Sequence, residues 1–115
     1  MAIPKPGQPV RGSSSGAPIM ALFDLLGRRW AMGVIWNLSR GPSTFRNLQN
    51  LCESKSGTIS PSILNRRIKD LQEAHLLERT LDGYRLTPLG SELFTLIQPL
   101  DEYSGKWAGE ITETD

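Results

Sequence analysis

Ser60-Pro61-Ser62-Ile63-Leu64-Asn65-Arg66-Arg67-Ile68-Lys69-Asp70-Leu71 carries the clearest start signal in the chain. Ser60 is a favoured helix N-cap, and Pro61 sits at the first helical position, where its missing N–H costs nothing. The spacing predicts a helix over 61–74. On a 100° wheel, Leu64, Ile68 and Leu71 fall on the inward side and Ser62, Asn65, Arg66 and Lys69 on the outward side. No acid occurs between Ser60 and Lys69. The outward residue types suit nucleic acid: Arg bridges two acceptors on guanine, Asn pairs with adenine, and Ser and Lys hold phosphates. Solvent alone would also select a polar face on a surface helix, so the neighbouring elements decide between the two readings. Arg67 falls beside the core, where a packed, acid-paired arginine is expected.

Upstream, Ile19, Leu22, Phe23 and Leu26 recur at helical spacing, and Gly27 is a natural stop, which gives a first helix. Trp30 to Ser39 has few polar positions and reads as a central, buried second helix. Gly41-Pro42 breaks it. Ser43 or Thr44 then caps a third helix with Phe45, Leu48, Leu51 and Cys52 on one face, ahead of a polar turn over 53–58. Downstream, residues 76–81 and 84–86 flank Asp82-Gly83, the signature of a type I′ hairpin. That turn would pair Leu81 with Tyr84 and Thr80 with Arg85, leaving Arg85 on the face opposite the apolar pair and within reach of a phosphate.

Thr87-Pro88 repeats the cap-plus-proline start. In the last helix Leu89, Leu93, Leu96, Leu100, Tyr103 and Trp107 form a heptad-like seam, and Pro99 predicts a kink or a break. Three helices, a fourth that reads, and a hairpin make a mainly α winged helix-turn-helix with a small β-hairpin. Helix 61–74 would enter the DNA major groove, with hairpin 77–86 as the wing. The boundaries expected are a flexible tail over 1–16, the winged domain over 17–87, a dimerisation helix over 88–110 and a frayed end over 111–115. Thr44, Arg46, Ser60, Ser62, Asn65, Arg66, Lys69 and Arg85 form the candidate DNA-contacting set.

The chain has 115 residues and a net charge of +1. This argues against a protein that coats nucleic acid or membranes through bulk positive charge. Yet residues 1–85 hold twelve Lys+Arg and six Asp+Glu (+6), whereas residues 86–115 hold one Lys and six Asp+Glu (−5). The basic part contains the reading helix and wing; the acidic part is the last helix. One cysteine excludes an internal disulfide, and with no apolar signal core or membrane span the expected location is the cytoplasm. His75 and Cys52 stand alone of their kinds, without a paired-carboxylate or phosphate-loop motif, so no enzyme, cofactor or metal is expected. Cys52, on the apolar side of its helix, is expected to be an inert buried thiol rather than a redox switch. Trp30, Trp36 and Trp107 are expected to pack, rather than to wall an effector pocket.

The sequence resembles the HxlR-type winged helix-turn-helix transcriptional regulators of bacteria over most of residues 17–107. The resemblance rests on Asp24-Leu25-Leu26-Gly27-Arg28-Arg29-Trp30, on Gly41-Pro42 with Phe45 and Leu48, and on Ile59-Ser60-Pro61 with Leu64, Arg67, Ile68 and Leu71. Leu76-Leu77-Glu78-Arg79, Leu86-Thr87 and Gly90 follow in the family's order. It implies a homodimer that binds a double-stranded DNA operator through helix 61–74 and the wing, and that dimerises through the first and last helices. The corresponding interface set is Ile19, Leu22, Phe23, Leu93, Leu96, Leu100, Tyr103 and Trp107. A small-molecule effector of unknown identity is a further possible partner. Ala17-Pro18 stands where the family often has Cys-Pro, so oxidant sensing there is not supported. The segment between Phe45 and Ser60 is longer than usual, and the wing lacks the family's proline-bearing extension. A winged module that binds protein and not DNA is the competing reading.

Overall fold

Prolines and hydroxyl caps set most of the helix starts in the computed structural model, which describes residues 3–113, with backbone only at 55, 56 and 113. The elements are α1 (Pro18–Leu26), α2 (Ala31–Leu38), α3 (Phe45–Ser56), α4 (Pro61–Glu73), β1 (Leu77–Thr80), β2 (Gly83–Leu86) and α5 (Pro88–Glu113). The Thr44 hydroxyl accepts from the Asn47 N–H at 3.1 Å and caps α3, and Ser60 accepts from the Ile63 N–H at 3.2 Å and caps α4. Helix α4 ends in a Schellman turn. His75 takes the left-handed position (φ 62°), its N–H donates to the Gln72 carbonyl, and the Leu76 N–H donates to Leu71. Helix α2 touches the other four helices and β2. Val34, Ile35, Leu48, Leu64, Ile68 and Leu71 make the fully buried centre, in line with the inward face expected of helix 61–74.

Four features differ from the sequence reading. The hairpin pairs Leu77 with Leu86, Glu78 with Arg85, Arg79 with Tyr84 and Thr80 with Gly83, so the turn is Leu81-Asp82, one residue earlier than expected. Ser43 decides the register. Its backbone exchanges two hydrogen bonds with Tyr84, at 2.9 and 2.8 Å, on the outer edge of β2. A Cβ at position 83 would run into the Ser43 carbonyl, so the glycine (φ 120°) is needed in the strand rather than in the turn. Gly83→Ala is expected to lower the unfolding free energy by more than about 1 kcal/mol, as measured by urea denaturation; an unchanged midpoint would show that Ser43 gives way freely.

The second difference lies in α3, which continues through 53–56, where a turn was expected. The extra turn is held from outside. The buried Ile59 donates its N–H to Glu53 Oε2 and accepts at its carbonyl from Gln49 Nε2, both at 3.0 Å. The third is α5: of the kink or break expected at Pro99 there is no break, and the helix runs on through it. Proline there removes the donor that Thr95 would use, but both residues are exposed, so water can serve the freed carbonyl. Fourth, Leu93 faces inward. It is 8% exposed and joins Ile97 in the core, so it leaves the outward seam.

Of the tail expected over 1–16, residues 3–16 lie against the body, with Ile3 packed on the core and the Arg11 N–H donating to Asp24, and residues 1–2 fall outside the described residues. Residues 111–113 continue α5 in the region expected to fray, and 114–115 fall outside the described residues. Among the described residues, no helix is long and apolar enough to cross a membrane.

Candidate nucleic-acid interface

Ser62, Asn65, Arg66 and Lys69 are exposed along one side of α4 and line one shallow groove, together with Asp70 and Glu73. Among the described residues, neither Arg66 nor Lys69 has an ion-pair partner. Both cations therefore remain available to an anion. Asp70 is different. It is 4% exposed, and its Oδ2 accepts from Arg28 at 3.2 Å and Arg67 at 3.1 Å. Arg67 also donates through Nε to the Arg29 carbonyl at 2.8 Å. The expected acid-paired role of Arg67 is thus what the structure has, and the acid nearest the reading face is neutralised beneath it.

The network ties α4 to the α1–α2 turn. Trp30 in that turn has a left-handed backbone (φ 77°), rare for an aromatic residue, and the Arg29 guanidinium lies 5.0 Å from its ring centroid. At the other end, Gln49 and Glu53 of α3 hold Ile59, the residue before the α4 cap. Sequence reasoning missed both, because no local spacing marks a side chain that reaches ten or six residues along to a buried backbone group.

Of the remaining candidates Ser60 caps α4, and Thr44, Arg46 and Arg85 lie on or beside the wing. The Ser43–Tyr84 pairing brings Thr44 and the start of α3 beside β2, and Arg46 is exposed in the first turn of that helix. The hydroxyls of Thr44 and Ser60 already accept backbone N–H groups, and Ser60 Oγ also lies 3.3 Å from Ser62 Oγ, a hydrogen bond that either hydroxyl can donate. Arg85 Nε pairs with Glu78 Oε2 at 3.1 Å, with both side chains about half exposed. The wing arginine without an ion pair among the described residues is instead Arg79, with its guanidinium 5.9 Å from the Tyr84 ring centroid.

Of the interface candidates, Ile19, Phe23, Leu96, Leu100, Tyr103 and Trp107 are more than half exposed, and Leu22 is partly buried. Ile111 continues the α5 stripe and was missed. Every residue from 98 to 112 is exposed, so the second half of α5 projects beyond the body.

Cys52 is buried. Burial pushes its thiol up from the ordinary range, a hydrogen bond from Asn37 opposes this, and the nearby negative charge of Glu53 adds to it. A thiol held protonated and covered is a poor nucleophile. Native protein is expected to resist a thiol-labelling reagent that modifies Cys52 fully after denaturation, and prompt stoichiometric labelling of the folded chain would contradict this. His75 serves as the turn residue that ends α4. Trp36 packs edge-on against Phe94 with centroids 5.0 Å apart.

A central helix carrying four others, a cation-bearing helix entered through a Ser-Pro cap and a short antiparallel hairpin after it define a winged helix-turn-helix protein. The chain belongs to the HxlR-like helix-turn-helix family, whose pattern matches residues 25–112. It is 23% identical over 88 residues to an uncharacterized HTH-type transcriptional regulator of Methanocaldococcus jannaschii, covering 76% of this chain and 83% of that one. Among solved structures it is similar to quinone-bound YodB from B. subtilis, with 28% identity, a TM-score of 0.70 and coverage of 76% and 96% of the two chains. A possible HxlR family transcriptional factor from Thermoplasma volcanium GSS1 is 33% identical, with a TM-score of 0.64 and coverage of 76% and 81%.

Proposed function

We propose that this protein is a transcriptional regulator that binds a double-stranded DNA operator sequence-specifically as a homodimer, with α4 in the major groove and β1–β2 as the wing. The observation that carries the reading is the outer side of α4: exposed Asn65 and Arg66 for base edges, Ser62 and Lys69 for phosphates, two cations without ion pairs, and the adjacent acid buried under two arginines. In this reading the acidic α5 sits away from the phosphates that would repel it, and the protein works in the cytoplasm without a catalytic activity.

Dimerisation is supported by the apolar residues left exposed on α1 and α5. Leu100, Tyr103 and Trp107 share one side of α5 and are each more than half exposed among the described residues. A surface of this kind suits a two-fold partner presenting the same stripe. Leu100→Asp is expected to convert a wild-type dimer into a monomer in sedimentation, without loss of helix content; a wild-type monomer would refute the interface.

Selection from a random DNA pool with the purified protein tests the whole reading. A pseudo-palindromic site is expected, with half-site centres one helical turn apart or a multiple of it. A pool that shows no enrichment at low salt would overturn the reading and favour the protein-binding module.

A further inference from the structure

A cleft of about 740 Å³ opens between segment 3–6, α1, the end of α4 and the first two turns of α5. Small-molecule sites span roughly 300–1,000 Å³. The floor is aliphatic: Leu25, Leu76 and Leu93 are core residues that also line it, and Leu22 and Leu96 flank them. None of the three tryptophans reaches it, nor do Ser62, Asn65, Arg66 or Lys69; Glu73 lines both this cleft and the α4 groove.

The rim is unbalanced in sign. Glu73 and Glu92 line it, and the end of α4 adds the partial negative charge of a helix C-terminus. Opposing them is the Lys5 ammonium. Lys5 belongs to segment 3–6, and its Nζ lies 3.8 Å from Glu73 Oε1, too far for a hydrogen bond, with both side chains about half exposed. Such a pair holds the segment only weakly. Ile3 of the same segment packs against the apolar core. The chain thus offers its own cleft an aliphatic group and an ammonium on one short tether.

We infer that this cleft is a binding site for a lipophilic cation: a small molecule with an apolar ring or chain and a single ammonium group. The ligand takes the place of Ile3 and Lys5, seats its apolar part on Leu22, Leu25, Leu76 and Leu93, and sets its ammonium beside Glu73 and Glu92. An anion of the same shape meets two carboxylates and the end of a helix. A neutral analogue keeps the apolar contact and loses the charge pairing. The site is walled by the last turn of α4 and meets the groove of that helix's outer side at Glu73, and its existence does not depend on DNA binding.

Calorimetric titration of the full chain with naphthylmethylammonium, naphthylacetate and naphthylmethanol tests the inference, since the three share a ring and differ in charge. The cation is expected to bind once per chain and about tenfold more tightly than either analogue. Glu73→Gln with Glu92→Gln should weaken the cation about tenfold, and Lys5→Gln should strengthen it, because the tethered competitor is gone. Absence of saturable binding of the cation up to about 1 mM, equal affinity for cation and anion, or an unchanged affinity in the double glutamine variant would each overturn it.

Discussion

Asp70→Ala is expected to lower the unfolding free energy by about 3–5 kcal/mol, the cost of removing one partner from a buried ion pair. The carboxylate is almost fully covered and holds two guanidiniums that are themselves less than one-fifth exposed. Deleting it leaves Arg28 and Arg67 close together with their shared counter-charge gone. Asp70→Asn keeps the shape and one acceptor but not the charge, so it should fall between alanine and wild type. The contrast within the molecule is Lys5–Glu73, an exposed and longer pair, where substitution should cost no more than about 1 kcal/mol. Urea denaturation of the three variants orders them. A loss of under about 1 kcal/mol in Asp70→Ala would mean that water reaches the arginines and that the network does not anchor α4.

Arg66→Ala is expected to weaken operator binding by about 1–3 kcal/mol per subunit, hence about 2–6 kcal/mol for a symmetric dimer, roughly 30-fold to 20,000-fold. Binding to unrelated DNA should fall far less, so the ratio of the two affinities collapses. Lys69→Ala should behave otherwise, weakening all sequences alike and reducing the salt slope by about one per subunit. Because both side chains are exposed and without ion pairs among the described residues, neither change should disturb folding. Equal discrimination by wild type and Arg66→Ala would remove Arg66 from base reading, whatever the variant's absolute affinity.

The parts of this protein legible in its sequence are those governed by local chemistry. Ser60-Pro61 and Thr87-Pro88 announced two helix starts, and both helices begin at the proline. The wheel over 61–74 separated Leu64, Ile68 and Leu71 from Asn65, Arg66 and Lys69, as burial does in the structure. Arg67 was separated from Arg66 by the same geometry. The errors share a cause. The hairpin register, the length of α3 and the inward turn of Leu93 all depend on partners remote in sequence or on a neighbouring element.

Asp82-Gly83 shows why. The dipeptide has a strong local preference for a turn, but Ser43, some forty residues upstream, needs a residue without Cβ at position 83, and two backbone hydrogen bonds to Tyr84 hold that arrangement. Glu53 likewise reads as a polar turn residue until Ile59 is buried and its N–H requires an acceptor. Local propensities and periodicity determined, from the chain alone, the helix order, the polar outer face of α4 and the charge asymmetry between its two parts. The tertiary structure decided the wing register, which wing arginine lacks an ion pair, how α4 is anchored at both ends and where the apolar cleft opens. Those outcomes follow from satisfying buried backbone groups and a buried charge, and the partners that do so are brought together only by folding.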